Sequence, residues 1–263
     1  MMSATPIPRS LAITLYGDMD ISTIHSFPNQ KRRVETRVIE GSTIKSLLKE
    51  ITERVGNNER VFIVCPLIYE DENRRNVSEV YEGLKKHFQG KANVAFLHGR
   101  MGELEKEQTM IDFRDGKTSI LVSTTVIEVG IDVPHATIIV IENAERFGLA
   151  ALHQLRGRVG RGDAQSYCVL IYGDNISPDG IKRLDVLCET DDGFVIAEQD
   201  LMMRGVGELL GTRQSGWIQY HFVDYREHRD LFKLASAAAR DNEIDEWTRD
   251  LMFMFDCGVN VGA

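Results

Sequence analysis

Four near-continuous apolar runs set the tightest limit on what this chain can fold into. They are Val61-Phe62-Ile63-Val64-Cys65, Ile120-Leu121-Val122, Ile138-Ile139-Val140-Ile141 and Tyr167-Cys168-Val169-Leu170-Ile171-Tyr172. A strand with one wetted face alternates apolar and polar residues, and these do not. Each must be buried on both sides, which demands a parallel sheet between two layers of helices. The intervening segments supply those helices. Residues 43–55 place Ile44, Leu47, Leu48, Ile51 and Val55 on one stripe of an amphipathic helix. Pro66 closes the first strand, and the polar stretch Glu70 to Asn76 leads to a helix predicted over residues 77–88. A short strand follows at Asn93 to Leu97, then a helix over residues 103–115 ended by Gly116. The fold class is therefore α/β, with a central parallel sheet spanning residues 30–173 and residues 1–29 as a preceding segment.

After Asp174 the rhythm changes. Residues 177–190 and 194–203 predict two helices joined around Asp191-Asp192-Gly193, a helical hairpin opening a distinct segment, 174–263. A glycine-rich loop runs from Arg204 to Gly216, and two C-terminal helices are expected over 226–240 and 243–254. No internal repeat or low-complexity tract interrupts this plan.

Bulk properties narrow the class. The formal net charge of −9 argues against a broadly basic nucleic-acid binder, while leaving room for a narrow arginine-lined track. No apolar run approaches the roughly 20 residues that span a bilayer, and no signal peptide is apparent, so no membrane partner is expected. Cys65, Cys168, Cys188 and Cys257 lie far apart without a CxxC pair; disulfides and zinc are not expected, and a reducing cytoplasm fits.

The chemistry concentrates in Gln154-Leu155-Arg156-Gly157-Arg158-Val159-Gly160-Arg161. Read as a helix, Gln154, Arg158 and Arg161 fall on one face and Leu152, Leu155 and Val159 on another. Two guanidiniums projecting together suit the spread negative charge of a phosphoryl group in transfer. The plain alternative is a solvated arginine face, but two glycines inside a helix cost roughly 1 kcal/mol each relative to alanine and need a reason. Upstream, Ser123-Thr124-Thr125 ends a strand in hydroxyls, and a turn with Gly130 and Asp132 follows. Hydroxyls and free N–H groups there can bind phosphate oxygens, and Asp132 can accept from a ribose hydroxyl. His98-Gly99-Arg100 ends another strand; it reads either as an ordinary strand-end turn or as a nucleic-acid contact. In the 204–216 loop, Gly205, Gly207 and Gly211 permit unusual backbone, Arg204 and Arg213 supply charge, and Gln214 a hydrogen-bonding tip.

In order and spacing, residues 120–134 and 154–161 resemble motifs V and VI of the second RecA-like lobe of superfamily-two helicases. Val61 to Ile68 resembles motif IV, Leu97-His98-Gly99-Arg100-Met101 the block after it, and Ser3-Ala4-Thr5 the motif III element between lobes. The resemblance implies that Arg158 and Arg161 are arginine fingers completing an ATP site held mainly, with its Mg²⁺, by a first lobe. It implies further that Gln154 contacts nucleotide phosphates and that Gly130 and Asp132 meet the nucleotide across the cleft. Thr124 and Thr125, with His98, Gly99 and Arg100, would face DNA. A narrower resemblance is to the RecG family of bacterial branched-DNA translocases. It rests on residues 3–11, on Leu15-Tyr16-Gly17-Asp18-Met19-Asp20, on Glu142-Asn143-Ala144-Glu145-Arg146-Phe147-Gly148-Leu149 and on Asp192 to Gly216. In that family the last segment is a translocation motif coupling lobe movement to duplex DNA, which gives Arg204, Arg213, Gln214 and Ser3-Ala4-Thr5 a coupling role.

No GxxxxGK[ST] P-loop and no DExH-like element occur in these residues. A chain opening almost on motif III is therefore expected to be a piece of a longer protein, without ATPase activity alone and monomeric. Its expected partners are branched or duplex DNA, a first helicase lobe and an amino-terminal wedge domain. Two other readings stay open at this level: the motor lobe of a transcription-repair coupling factor, and a non-catalytic helicase-like binding module.

Overall fold

The computed structural model describes residues 34–66, 72–124, 132–173 and 176–204, with the helical positions Leu231 and Leu234. Ser3, Ala4, Thr5, Thr125, Gly130, Arg213 and Gln214 lie outside the described residues, as do Gly205 to Gly216 and most of the two expected C-terminal helices.

Six strands form one sheet: β1 (Glu35–Glu40), β2 (Arg60–Cys65), β3 (Val94–Leu97), β4 (Ile120–Thr124), β5 (Ala136–Ile141) and β6 (Tyr167–Tyr172). Their order is β1-β6-β5-β2-β4-β3, and every neighbouring pair is parallel. Six helices with described bounds accompany them: α1 (Ile44–Gly56), α2 (Glu72–His87), α3 (Glu103–Arg114), α4 (Leu149–Arg156), α5 (Pro178–Glu189) and α6 (Gly193–Arg204). Short 3₁₀ turns stand at Gly41–Thr43 and Ala144–Arg146.

The pleat divides each apolar run between two cores. On one face, Val61, Ile63, Ile120, Val122, Ile138 and Val140 meet Leu47 and Ile51 of α1 and Leu84 of α2. On the other, Phe62, Val64, Leu121, Ile139 and Ile141 meet Met110 and Phe113 of α3, Leu149 and Leu152 of α4, and Leu184 and Leu187 of α5. The expected two-sided burial is what the structure shows. Each fully buried leucine, isoleucine or phenylalanine contributes about 1.5–3 kcal/mol through apolar burial.

Two features depart from the sequence reading. β1 carries only two large apolar residues in Glu35-Thr36-Arg37-Val38-Ile39-Glu40 and shows no run, yet it pairs with all of β6. As an edge strand it is only part-buried, so its composition is mixed. α2 begins at Glu72, inside the stretch read as a polar connector. The chain also divides into two compact units, residues 26–196 and residues 1–25 with 197–263. In the first unit α5 packs on β1, on α4 and on the 144–146 turn, so its core reaches past residue 173. α5 is started by Ser177, whose Oγ accepts from the Gly180 N–H at 3.0 Å, with Pro178 at its first position.

At the amino end of the sheet, Arg60 is buried and its Nε donates at 2.9 Å to the Phe113 carbonyl in the last turn of α3, which also accepts from the Gly116 N–H at 3.3 Å. Gly116 lies over that guanidinium with φ +85°, and a Cβ there would sit 2.2 Å from Arg60 Nη2.

Candidate functional site

Because all six strands run parallel, their carboxyl ends share one edge, where ligands of open α/β sheets bind. Tyr172, Glu142, Cys65, Thr124 and His98 follow one another along it. Cys65 is level with Thr124, Leu97 with Ser123, and the Glu142 N–H donates to the Val64 carbonyl at 2.8 Å.

Ser123 and Thr124 are 0% and 7% exposed, and neither hydroxyl has a hydrogen-bond partner among the described residues. A buried hydroxyl without a partner costs about 1–3 kcal/mol. Such a cost at a strand's carboxyl end marks a place that a ligand or the adjoining turn can satisfy. His98 is half-buried, its ring 5.0 Å from that of Phe96, which stacks on Tyr81 at 5.5 Å. Gly99 and Arg100 are exposed; the Gly99 carbonyl accepts from Lys106 Nζ at 3.0 Å, folding the turn onto α3.

The arginine-rich segment does not form the single helix that its periodicity suggests. α4 ends at Arg156, with Gly157 as its C-cap, and Gly160 takes φ +77°. The apolar side of the reading survives, since Leu152, Leu155 and Val159 are all buried. The polar side changes. Gln154 is exposed on the last turn of α4, Arg158 is half-buried just past the helix, and Arg161 is exposed on a separate turn. The glycines therefore end a helix rather than interrupt one.

Arg161 is fixed by what that turn reaches. Its Nε donates to the Gly157 carbonyl at 3.2 Å and its Nη1 to Asp132 Oδ1 at 3.0 Å. The approach depends on Gly162, where a Cβ would stand 2.4 Å from the Pro134 carbonyl oxygen. With no side chain between them, the 160–162 turn presses against the 132–135 turn. Two residues singled out 29 positions apart are thus an ion pair.

Arg156 was not singled out in the sequence, yet it is 4% exposed and engaged on several sides. Its Nη1 donates to the Leu187 carbonyl at 2.7 Å and the Thr190 carbonyl at 3.0 Å, and pairs with Asp191 at 3.2 Å. Its Nη2 lies 3.0 Å from His153 Nδ1. Arginine only donates, so Nδ1 must accept and the ring is neutral. Burial, and then the Arg156 charge, hold His153 below the ordinary histidine range, in agreement. Arg156 therefore caps the end of α5 and ties it to α4.

Glu142 and Asn143 at the end of β5 were quoted only as part of a string. Burial, and then Glu145, push the Glu142 carboxyl above its ordinary range. Asn143 sits in the left-handed region, φ +49°, starting the turn that carries Glu145. The sequence signal available was a carboxylate directly after a fully buried strand. No group of metal-ligating side chains occurs among the described residues, and no described helix is long and apolar enough to cross a membrane.

Comparison with known proteins matches this geometry to a family. The helicase conserved C-terminal domain matches residues 18–163, more than half of the chain. The ATP-dependent DNA helicase RecG of Streptococcus pneumoniae serotype 4 is 47% identical over 253 residues, 95% of this chain and 38% of that protein. RecG of Bacillus subtilis is 44% identical over 225 residues, 85% of this chain and 33% of that protein. A solved structure of RecG bound to a three-way DNA junction has a TM-score of 0.70 at 42% identity, covering 88% of this chain and 30% of that one. Mycobacterium smegmatis helicase Lhr, solved with ssDNA and AMP-PNP, shares the fold with a TM-score of 0.50 at 20% identity, over 72% of this chain and 26% of that one. The chain spans about a third of the length of its curated RecG relatives. It belongs to the helicase conserved C-terminal domain family, as a RecA-like helicase lobe, and within that family it is similar to the C-terminal part of RecG.

Proposed function

We propose that this chain is the C-terminal part of an ATP-dependent DNA helicase that translocates on branched DNA, such as stalled forks and Holliday junctions, in repair and recombination. The observation that carries the reading is the arginine turn ahead of β6, where Arg161 is held beside Asp132, which stands ahead of β5, and Arg158 follows the end of α4. Guanidinium forks so presented fit the charge of a phosphoryl group in transfer better than they fit any role in the core. The sequence holds no P-loop, so ATP and Mg²⁺ would be bound mainly by a first lobe. When bound, the metal supplies charge neutralisation at the phosphates. This chain's part is to bring Arg158, Arg161 and Gln154 to them, with Gly130 on the nucleotide side and Asp132 beside Arg161.

Thr124 and Thr125, with half-buried His98 and exposed Gly99 and Arg100, form the DNA side. The buried, partnerless Thr124 hydroxyl supports this, since a backbone phosphate would satisfy it. α5, α6 and the 204–216 segment form the coupling element, a helical hairpin and loop in which Arg204, Arg213 and Gln214 act on DNA and Ser3-Ala4-Thr5 link to lobe one. The partners are DNA, the first lobe and the wedge domain of the same protein, which works as a cytoplasmic monomer. The relatives favour this reading over a transcription-repair coupling factor or a silent binding module.

The deciding experiment is fork-stimulated ATP hydrolysis by the full-length protein beside this chain alone. Turnover is expected only in the full-length protein. Arg161→Ala there should lower kcat by at least ~100-fold, the scale of a lost charge-stabilising donor, with ATP binding retained. Metal-dependent hydrolysis by the chain alone, or unchanged turnover in Arg161→Ala, would sink the proposal.

A further inference from the structure

We infer that Asp132 is a positioning residue for Arg161, acting on the guanidinium and not directly on the nucleotide. The inference rests on the reading of Arg161 as an arginine finger. The two groups meet at 3.0 Å, while Arg161 Nε is held by the Gly157 carbonyl at 3.2 Å. Of the five N–H groups of the fork, two are engaged among the described residues, leaving both Nη2 hydrogens and one on Nη1 as the open side there. That open side is what a phosphoryl oxygen requires.

Stability does not explain the pair. Asp132 is 59% exposed and Arg161 31%, a setting in which ion pairs contribute almost nothing measurable to folding. Their closeness is nevertheless built in. The absence of a Cβ at Gly162 lets the two turns touch, at a contact a side chain would prevent. A geometry maintained by backbone shape, with little return in stability, is what a pre-aimed functional group needs. A long arginine that must be ordered on encounter loses rotamer freedom, and one already aimed does not. Neutralising half of its charge is the accompanying cost, and it is small because water screens an exposed pair.

The test separates this role from ribose recognition, the other task open to an aspartate at this turn. In the full-length protein, Asp132→Asn is expected to lower kcat for ATP by about 10-fold, the scale on which orienting partners act. KM should stay within about 2-fold, since nucleotide binding is not its task. The same kcat loss should appear with 2′-deoxy- and 3′-deoxy-ATP, and Asp132→Glu should recover part of it. In an Arg161→Ala background, Asp132→Asn should have no further effect. A rise in KM that vanishes with a deoxynucleotide, or additive losses in the double variant, would overturn the inference. A second arm uses the 263-residue chain itself and does not depend on activity. The ¹⁵N-detected Arg161 Nε–H should exchange with water faster in Asp132→Asn than in the parent chain. Unchanged exchange overturns the positioning role. Faster exchange, combined with an Arg161→Ala protein that still turns over, upholds the pairing and condemns only the finger.

Discussion

Arg156→Ala offers a sharp test of how the arginine segment divides its labour between folding and chemistry. The wild-type guanidinium is 4% exposed and bridges two helices. Its bond to the Leu187 carbonyl is fully buried at 2.7 Å, and losing it strands an acceptor at a cost of about 2 kcal/mol. The Thr190 carbonyl, part-buried at 3.0 Å, regains some water and adds about 1 kcal/mol. The Asp191 pair must be discounted, because Asp191 is 42% exposed and hydrates when its partner leaves; it adds a few tenths, about 0.3 kcal/mol. The sum is about 3 kcal/mol, at the lower end of what breaking a buried pair costs, since no charge is left stranded in the core. With a urea slope of about 2 kcal/mol/M, the midpoint followed by circular dichroism should fall by roughly 1.5 M. Arg146→Ala is the matched control: its side chain is 50% exposed and 3.9 Å from Glu145, so the midpoint should barely move. Arg156→Lys should recover less than half of the loss, because an ammonium lacks the fork that spans Leu187, Thr190 and His153. A midpoint for Arg156→Ala within about 0.3 M of the parent would refute the capping argument.

Two further outcomes concern the scaffold. Gly116→Ala places a methyl group at φ +85° and onto Arg60 Nη2, so the Arg60–Phe113 contact must shift; a loss of about 2–4 kcal/mol is expected in thermal or urea unfolding, and a loss under ~0.5 kcal/mol would refute it. Burial pushes the Cys65 and Cys168 thiols up to about 12, with Glu142 adding to the effect at Cys65. Iodoacetamide at pH 8 should therefore spare both in the folded chain, while half-buried Cys188 reacts first among the three described cysteines in peptide mass mapping. The linkage sign follows from the same shift. The unfolded thiol ionises near 9.0 and the folded one only near 12, so stability present below pH 9 declines as pH rises through that window. Stability that is flat from pH 8 to 11 would contradict it.

The sheet was legible because burial on both faces leaves a mark on composition. Val61 to Cys65 and Ile138 to Ile141 admit no polar residue, since each neighbouring position faces a different apolar core. β1 was not legible for the opposite reason: at the edge, Glu35 to Glu40 pays no penalty for mixed residues, and only pairing with β6 reveals it. The start of α2 was hidden likewise, because Glu72 to Asn76 carries no apolar stripe to read.

The arginine segment shows where periodicity fails in physical terms. A 100° projection assumes that the helix continues, and Gln154, Arg158 and Arg161 share a face only under that assumption. The helix in fact stops at Arg156, because Gly157 ends the last turn and Gly160 adopts a positive φ. Two helix-interior glycines demanded an explanation, and their propensity cost already pointed to a terminus. Ending the helix separates roles that a continuous one would have merged. Arg156, still inside, becomes a buried cap for α5; Arg161, beyond it, is carried to Asp132 on a different turn. One short sequence thus fastens two helices and presents a phosphate-seeking group. The first task needs burial and the second needs an open fork, so no single helical face can serve both.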